Sequence, residues 1–101
     1  MLFRSIKKEI VTGRKKNGEK LKSGRELALE YHINPNTAAR VYQTLEAEGV
    51  AFTKRGLGTF VTEDAAVNVS LRKELAADFI ARFKKDMSEI GFTEEEMRTL
   101  I

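Results

Sequence analysis

Apolar residues recur at helical spacing in five stretches of this chain, and two short β-rich runs stand between the third and the fourth. Leu2, Phe3, Ile6 and Ile10 repeat every three or four positions, with Arg4, Lys7, Lys8 and Glu9 opposite. That spacing predicts a helix over residues 2–12, stopped by Gly13. Residues 14–22, RKKNGEKLK, read as a basic loop with an Asn17-Gly18 turn, in which Leu21 can anchor a short strand; its lysines either touch phosphates or form a plain solvated surface, the commoner case. Ser23 and Glu26 have the spacing of a capping box, which opens a second helix to Tyr31 with Leu27, Ala28 and Tyr31 on its buried face. His32-Ile33-Asn34 then turns the chain into a third helix over residues 34–49. Asn34 caps it, Pro35 occupies the position where a missing N–H costs nothing, and Gly49 ends it.

The third helix has an apolar stripe of Ala38, Val41, Tyr42 and Leu45. Its other side carries Asn36, Thr37, Arg40, Gln43 and Thr44, with a single charge among them. Such donors and acceptors suit base edges in a DNA major groove. A solvated face holding few charges fits the same pattern, and the helix alone does not decide between them. A short helix, a tight turn and a second helix with a polar first turn together make a helix-turn-helix pattern. VAFTK at 50–54 and TFVT at 59–62 then flank Arg55-Gly56-Leu57-Gly58 and predict a hairpin with a basic tip. In this position the hairpin reads as the wing of a winged helix, with Lys54 and Arg55 placed to reach phosphate or the minor groove.

After the weakly patterned residues 63–68, Leu71, Leu75, Phe79, Phe83, Met87 and Ile90 fall at steps of four and finally three, joined by Ala76 and Ile80. They predict one amphipathic helix of about 25 residues. Gly91 ends it, and Thr93 with Glu96 forms a second capping box for a short helix whose apolar face is Met97, Leu100 and Ile101. Large aromatics on so long a stripe need cover, and a second copy of the chain is the simplest partner. Folding back onto the chain's own winged helix accounts for part of the stripe. The expected fold is therefore mainly α: a winged helix-turn-helix over residues 1–62, followed over residues 63–101 by a long and a short helix for dimerisation.

Charge divides along the same line. Residues 1–62 hold 12 Lys and Arg against 6 Asp and Glu, a net +6, whereas residues 63–101 hold 6 against 9, a net −3. The basic part suits a polyanion, here double-stranded DNA. With 101 residues, no cysteine and one histidine, His32, the chain offers no disulfide framework, thiolate site or histidine cluster. No catalytic loop or metal spacing is present, and Glu94, Glu95 and Glu96 suit the first turn of a helix. An enzyme is not expected, nor a metal or cofactor. No apolar run is long enough to span a bilayer, and the cytoplasm is the expected compartment.

Residues 21–61 resemble the DNA-binding domain of GntR-type bacterial transcription regulators. The resemblance rests on S-x-R-E-L-A at 23–28, N-P-N-T at 34–37, L-E-x-E-G at 45–49 and R-G-x-G-T-F-V at 55–61, in this order and spacing. The N-P-N-T entry and the two-helix tail look most like the YtrA-like subfamily, whose members lack a large effector domain and dimerise through those helices. The resemblance implies a homodimeric repressor or regulator binding a pseudo-palindromic operator. By position, Arg25, Asn34, Asn36, Thr37, Arg55 and Gly56 match residues that contact DNA in the family; helix geometry and charge add Arg40 and Lys54. Lys22 stands where the family usually has proline and offers one more phosphate contact. The expected dimer seam is Leu71, Leu75, Phe79, Ile80, Phe83, Met87 and Ile90. Two other readings stay open: a winged-helix module that pairs with protein and has weak or no DNA specificity, and a sensor with a small-molecule effector between the tail helices.

Overall fold

A computed structural model describes residues 2–101. The elements are α1 (Leu2–Val11), α2 (Gly24–Tyr31), α3 (Pro35–Ala47), β1 (Ala51–Lys54), β2 (Gly58–Val61), α4 (Ala65–Glu89) and α5 (Glu94–Leu100). They fall into two compact units, one ending at Leu71 and one covering Arg72–Ile101. The first turns of α4 belong to the first unit, where Asn68 Nδ2 donates to the Ile10 carbonyl at 3.5 Å and Leu71 is buried.

The core of the first unit gathers Ile6 and Ile10 of α1, Leu27 and Ala28 of α2, Ala38, Tyr42 and Leu45 of α3, and Val50, Ala51 and Val61 around the hairpin. Both α2 boundaries have chemical causes. The Ser23 hydroxyl accepts from Glu26 N at 3.1 Å and the Glu26 carboxylate accepts from Ser23 N at 3.0 Å, so two orphan N–H groups are satisfied at once. At the other end His32 takes the left-handed conformation, φ 53°, and its N–H donates to the Ala28 carbonyl. Asn34 Oδ1 then accepts from Asn36 N at 2.8 Å and starts α3. Beyond α3, Val50 N donates to Leu45 O at 2.9 Å and Gly49 N to Glu46 O at 3.0 Å, which turns the chain into β1.

β1 and β2 pair antiparallel, with Phe52 opposite Phe60 and Lys54 opposite Gly58. Leu21 does anchor a strand-like segment: Lys20 bridges to Phe60, and Leu21 N donates to Thr59 O at 2.8 Å. The hairpin thus acquires a third edge from the basic loop.

The structure differs from the hydrophobic pattern at three places. Lys7 does not lie on a solvated face but is 5% exposed, with Nζ 2.7 Å from Glu48 Oε1 and 4.0 Å from the centre of the Phe3 ring. A long aliphatic stem and a paired ammonium let a lysine occupy such a position. The long helix begins at Ala65, earlier than its apolar repeat, because Asp64 Oδ1 accepts from Ala66 N at 2.9 Å and caps it. Leu71 and Leu75, expected in the dimer seam, are 2% and 5% exposed within the single chain. Met87 is half-buried, while Phe79, Ile80, Phe83 and Ile90 keep open surface.

In the second unit, Gly91 closes α4, with Phe92 N donating to Met87 O at 3.1 Å and Gly91 N to Ser88 O at 3.0 Å. Thr93 and Glu96 cap α5 reciprocally, and Met97 is its buried residue.

Tyr42 joins the core to the approach of α2. Its ring is 8% exposed and its hydroxyl donates to the Lys22 carbonyl. Burial pushes the phenol up to about 12, so the protonated donor is held in the fold. Tyr42→Phe is expected to cost about 0.5–1.5 kcal/mol in urea unfolding at neutral pH. Because the folded pKa lies above the ordinary value of 10, the hydroxyl's contribution is complete below pH 10 and declines toward pH 12. The stability gap between parent and variant should therefore narrow over that interval; a constant gap would contradict the assignment.

Candidate nucleic-acid interface

With Ala38, Tyr42 and Leu45 turned into the core, α3 leaves Asn36, Thr37, Arg40 and Gln43 exposed on its other side. Asn36 and Arg40 are four residues apart and Thr37 and Arg40 three, so the three share one face. Thr44 points the same way, but its hydroxyl donates to the Arg40 carbonyl at 2.9 Å and serves the helix. Asn34 is exposed with its oxygen committed to the cap, which leaves its amide NH2 for an outside partner.

Arg25 is exposed in the first turn of α2. Lys22, three residues earlier, is not free for phosphate: its ammonium pairs with Glu30, and that hydrogen bond raises its pKa. The nearby Glu26 is held below the usual carboxylate range by the backbone N–H and hydroxyl of Ser23. Its negative charge is therefore engaged within the capping box.

The wing is fastened to α3. Thr53 donates its hydroxyl to the Glu46 carboxylate at 2.5 Å and lies 3.2 Å from the Thr59 hydroxyl across the hairpin. At the tip, Leu57 N donates to Lys54 O at 2.9 Å, and Gly56 supplies φ +79° at the third position of the turn, as a type II turn requires. Among the described residues, no atom beyond its own chain neighbours lies within 4 Å of where a Gly56 Cβ would stand, so the backbone there is open to a neighbouring surface. Arg55 and Gly56 are exposed at this tip, and Lys54 Nζ sits 5.4 Å from the Phe60 ring centre and 5.7 Å from that of Phe52. Among the described residues, Arg25, Arg40 and Arg55 make no ion pair.

The sequence-chosen residues thus fall on three exposed places: the first turn of α2, the outer face of α3 and the tip of the hairpin. One cation beside the hairpin, Lys20, is not among them. The signal for it was Leu21: a strand residue pointing inward puts its neighbour outward.

A helix-turn-helix followed by a two-stranded wing defines a winged helix-turn-helix protein. The family model described as "Bacterial regulatory proteins, gntR family" matches residues 1–61. The chain is 38% identical over 97 residues to an uncharacterised HTH-type transcriptional regulator, YhcF, of Bacillus subtilis (strain 168), covering 96% of this chain and 76% of that protein. It is 42% identical over 64 residues to the HTH-type transcriptional repressor YtrA of the same organism, covering 63% of this chain and 49% of YtrA. A solved GntR family transcriptional regulator from Listeria monocytogenes superposes with a TM-score of 0.85 at 35% identity, over 98% of this chain and 87% of that one. The chain belongs to the GntR family of bacterial regulatory proteins, and its relatives include a YtrA-type regulator.

The two asparagines at the head of α3 are expected to separate in a stability measurement. Asn34→Ala removes the cap and should cost about 1 kcal/mol in thermal or urea unfolding. Asn36→Ala, at an exposed position, should stay within about 0.5 kcal/mol of the parent. Equal losses would show that the cap does not rest on Asn34.

Proposed function

We propose that this chain is a sequence-specific DNA-binding transcription regulator, acting in the cytoplasm as a repressor and as a homodimer on a pseudo-palindromic operator. The observation that carries this reading is the outer face of α3, where Asn36, Thr37 and Arg40 stand exposed and Arg40 makes no ion pair among the described residues. Lying in a major groove, these residues read base edges, while Arg25, Lys54, Arg55 and the Gly56 backbone hold phosphates on either side. Asn34 contributes its free amide NH2 at the head of the same helix. The description of the relative YtrA as a repressor supports repression, since a protein seated on an operator occludes it without a further contact.

Dimerisation rests on the tail. Phe79, Ile80, Phe83 and Ile90 remain exposed, and a groove of about 490 Å³ lined by Phe79, Ile80, Phe83, Met97, Leu100 and Ile101 gives their surface a concavity that a partner's side chains can fill. Two copies present two recognition helices to two half-sites, which is why the operator should show two-fold symmetry.

Selection of bound fragments from random DNA should return a short inverted repeat; recovery of unrelated fragments would favour the protein-interaction module instead. On the selected site, Asn36→Ala should cost about 1–3 kcal/mol, with little loss on random duplex. Arg25→Ala should weaken both equally. Phe83→Asp should shift the chain to a monomer in sedimentation, and a dimer that persists would remove the tail from the interface.

A further inference from the structure

The third edge of the hairpin carries a charge that this reading does not use. Residues 18–21 run antiparallel to β2: Gly18 N donates to Val61 O at 3.0 Å, Val61 N to Glu19 O at 2.9 Å and Leu21 N to Thr59 O at 2.8 Å. In a pleated ladder, paired residues share a face and alternate residues return to it. Leu21 therefore takes the core side with Ala51 and Val61, all three buried. Lys20 pairs with Phe60, Phe60 with Phe52, and Gly58 with Lys54, which puts these five residues together on the other face.

That face is arranged to hold two lysines without neutralising them. Phe52 and Phe60 stack with ring centres 5.7 Å apart, and Lys54 Nζ stands over both rings. A ring quadrupole positions an ammonium and leaves its full charge. The Lys20 side chain passes across Gly58, where a Cβ would meet Lys20 Cε at 2.9 Å, so a glycine at this position makes the passage possible. The Ser23 hydrogen bonds do most to lower the Glu26 carboxyl, and the Lys20 charge is the smallest of the causes acting with them. Neither Lys20 nor Lys54 pairs with a carboxylate among the described residues.

We propose that Lys20 and Lys54, gathered on the outer face of the hairpin by the Phe52–Phe60 stack and the gap at Gly58, form a clamp for the phosphate backbone of duplex DNA. The clamp rests on the reading of the chain as a DNA-binding protein and adds Lys20 to its contacts. It reads no sequence: two flexible ammonium groups contact phosphate oxygens irrespective of the base they carry.

The test is the salt dependence of affinity of the full chain for its selected site and for random duplex. Removing one lysine–phosphate interaction lowers the slope of log K against log salt by about 0.9. Lys20→Gln and Lys54→Gln should each reduce it by that amount on both DNAs, and the double variant by about twice as much. The ratio of specific to random affinity should be unchanged, and Lys20→Arg should keep the parent slope. A parent that selects its site while Lys20→Gln retains the full slope would overturn the clamp and leave the regulator reading intact. A Lys20→Gln effect confined to the selected site would also overturn it, since phosphate contacts do not discriminate. A parent with no salt-dependent affinity for either DNA would overturn both.

Discussion

Three residues, His32, Ile33 and Asn34, decide which side of α3 looks outward. A helix turns by about 100° per residue, so the residue at which it starts sets the phase of every later side chain. His32 ends α2 in the left-handed conformation, and Asn34 with Pro35 starts α3 two residues later. From that start, Ala38, Tyr42 and Leu45 face the core and Asn36, Thr37 and Arg40 face away from it. A start displaced by one residue would swing the polar face toward the core, at the cost of burying unpaired amide and guanidinium groups. The cap and the apolar stripe agree, and their agreement makes the outer face dependable.

Around this helix the acids are used up internally. The N-terminal segment to residue 62 contains six carboxylates. Glu9 and Glu19 lie by Lys15, Glu26 closes the capping box, Glu30 pairs with Lys22, Glu46 accepts from Thr53 and Glu48 pairs with Lys7. Among the described residues, Arg25, Arg40, Arg55, Lys20 and Lys54 have no such partner. The net charge of this part is therefore less informative than its distribution: internal pairing absorbs the acids and leaves uncompensated cations near α2, α3 and the hairpin. Exposed pairs contribute little to stability, so the effect of this arrangement lies mainly in the field presented to a polyanion.

How much of this was legible in the sequence depended on whether the signal was local. Both capping boxes, the Asn34-Pro35 entry and the glycine stops at 49 and 91 are decided within a turn of chain, and the structure has each where its residue types put it. Non-local arrangements were harder to read. Nothing near Lys7 shows that Glu48 waits 41 residues away to pair with it, so a helical wheel sends it to solvent. The cap at Asp64 was hidden because the helix it opens starts with small residues before its apolar repeat begins. Leu71 and Leu75 continue the same four-residue rhythm as Phe79 and Phe83, and periodicity cannot say which members of a stripe find cover within one chain. In the candidate interface, residue types pointed to α3 and the wing, whereas Lys20 was one of several lysines in a basic loop until its strand-like pairing to β2 singled it out.

The tail is the part of the chain on which the proposed dimer rests. Its 30 residues form the end of α4 and the short α5, and Leu75 and Met97 are their buried apolar residues. Its ion pairs, Arg82–Asp86 at 3.9 Å and Lys84–Glu94 at 3.6 Å, are more than half exposed and contribute little. Caps define where these helices start and stop, but most helical stability in proteins comes from packing an apolar face. What remains is apolar area: Phe79 and Phe83 each 39% exposed and Ile80 56%. Covering those side chains would remove from water the surface that the tail leaves open, at about 25 cal/mol per Å². In the proposed dimer a second copy brings the same stripe, so one contact would cover both tails and at the same time bring together the two copies of α3.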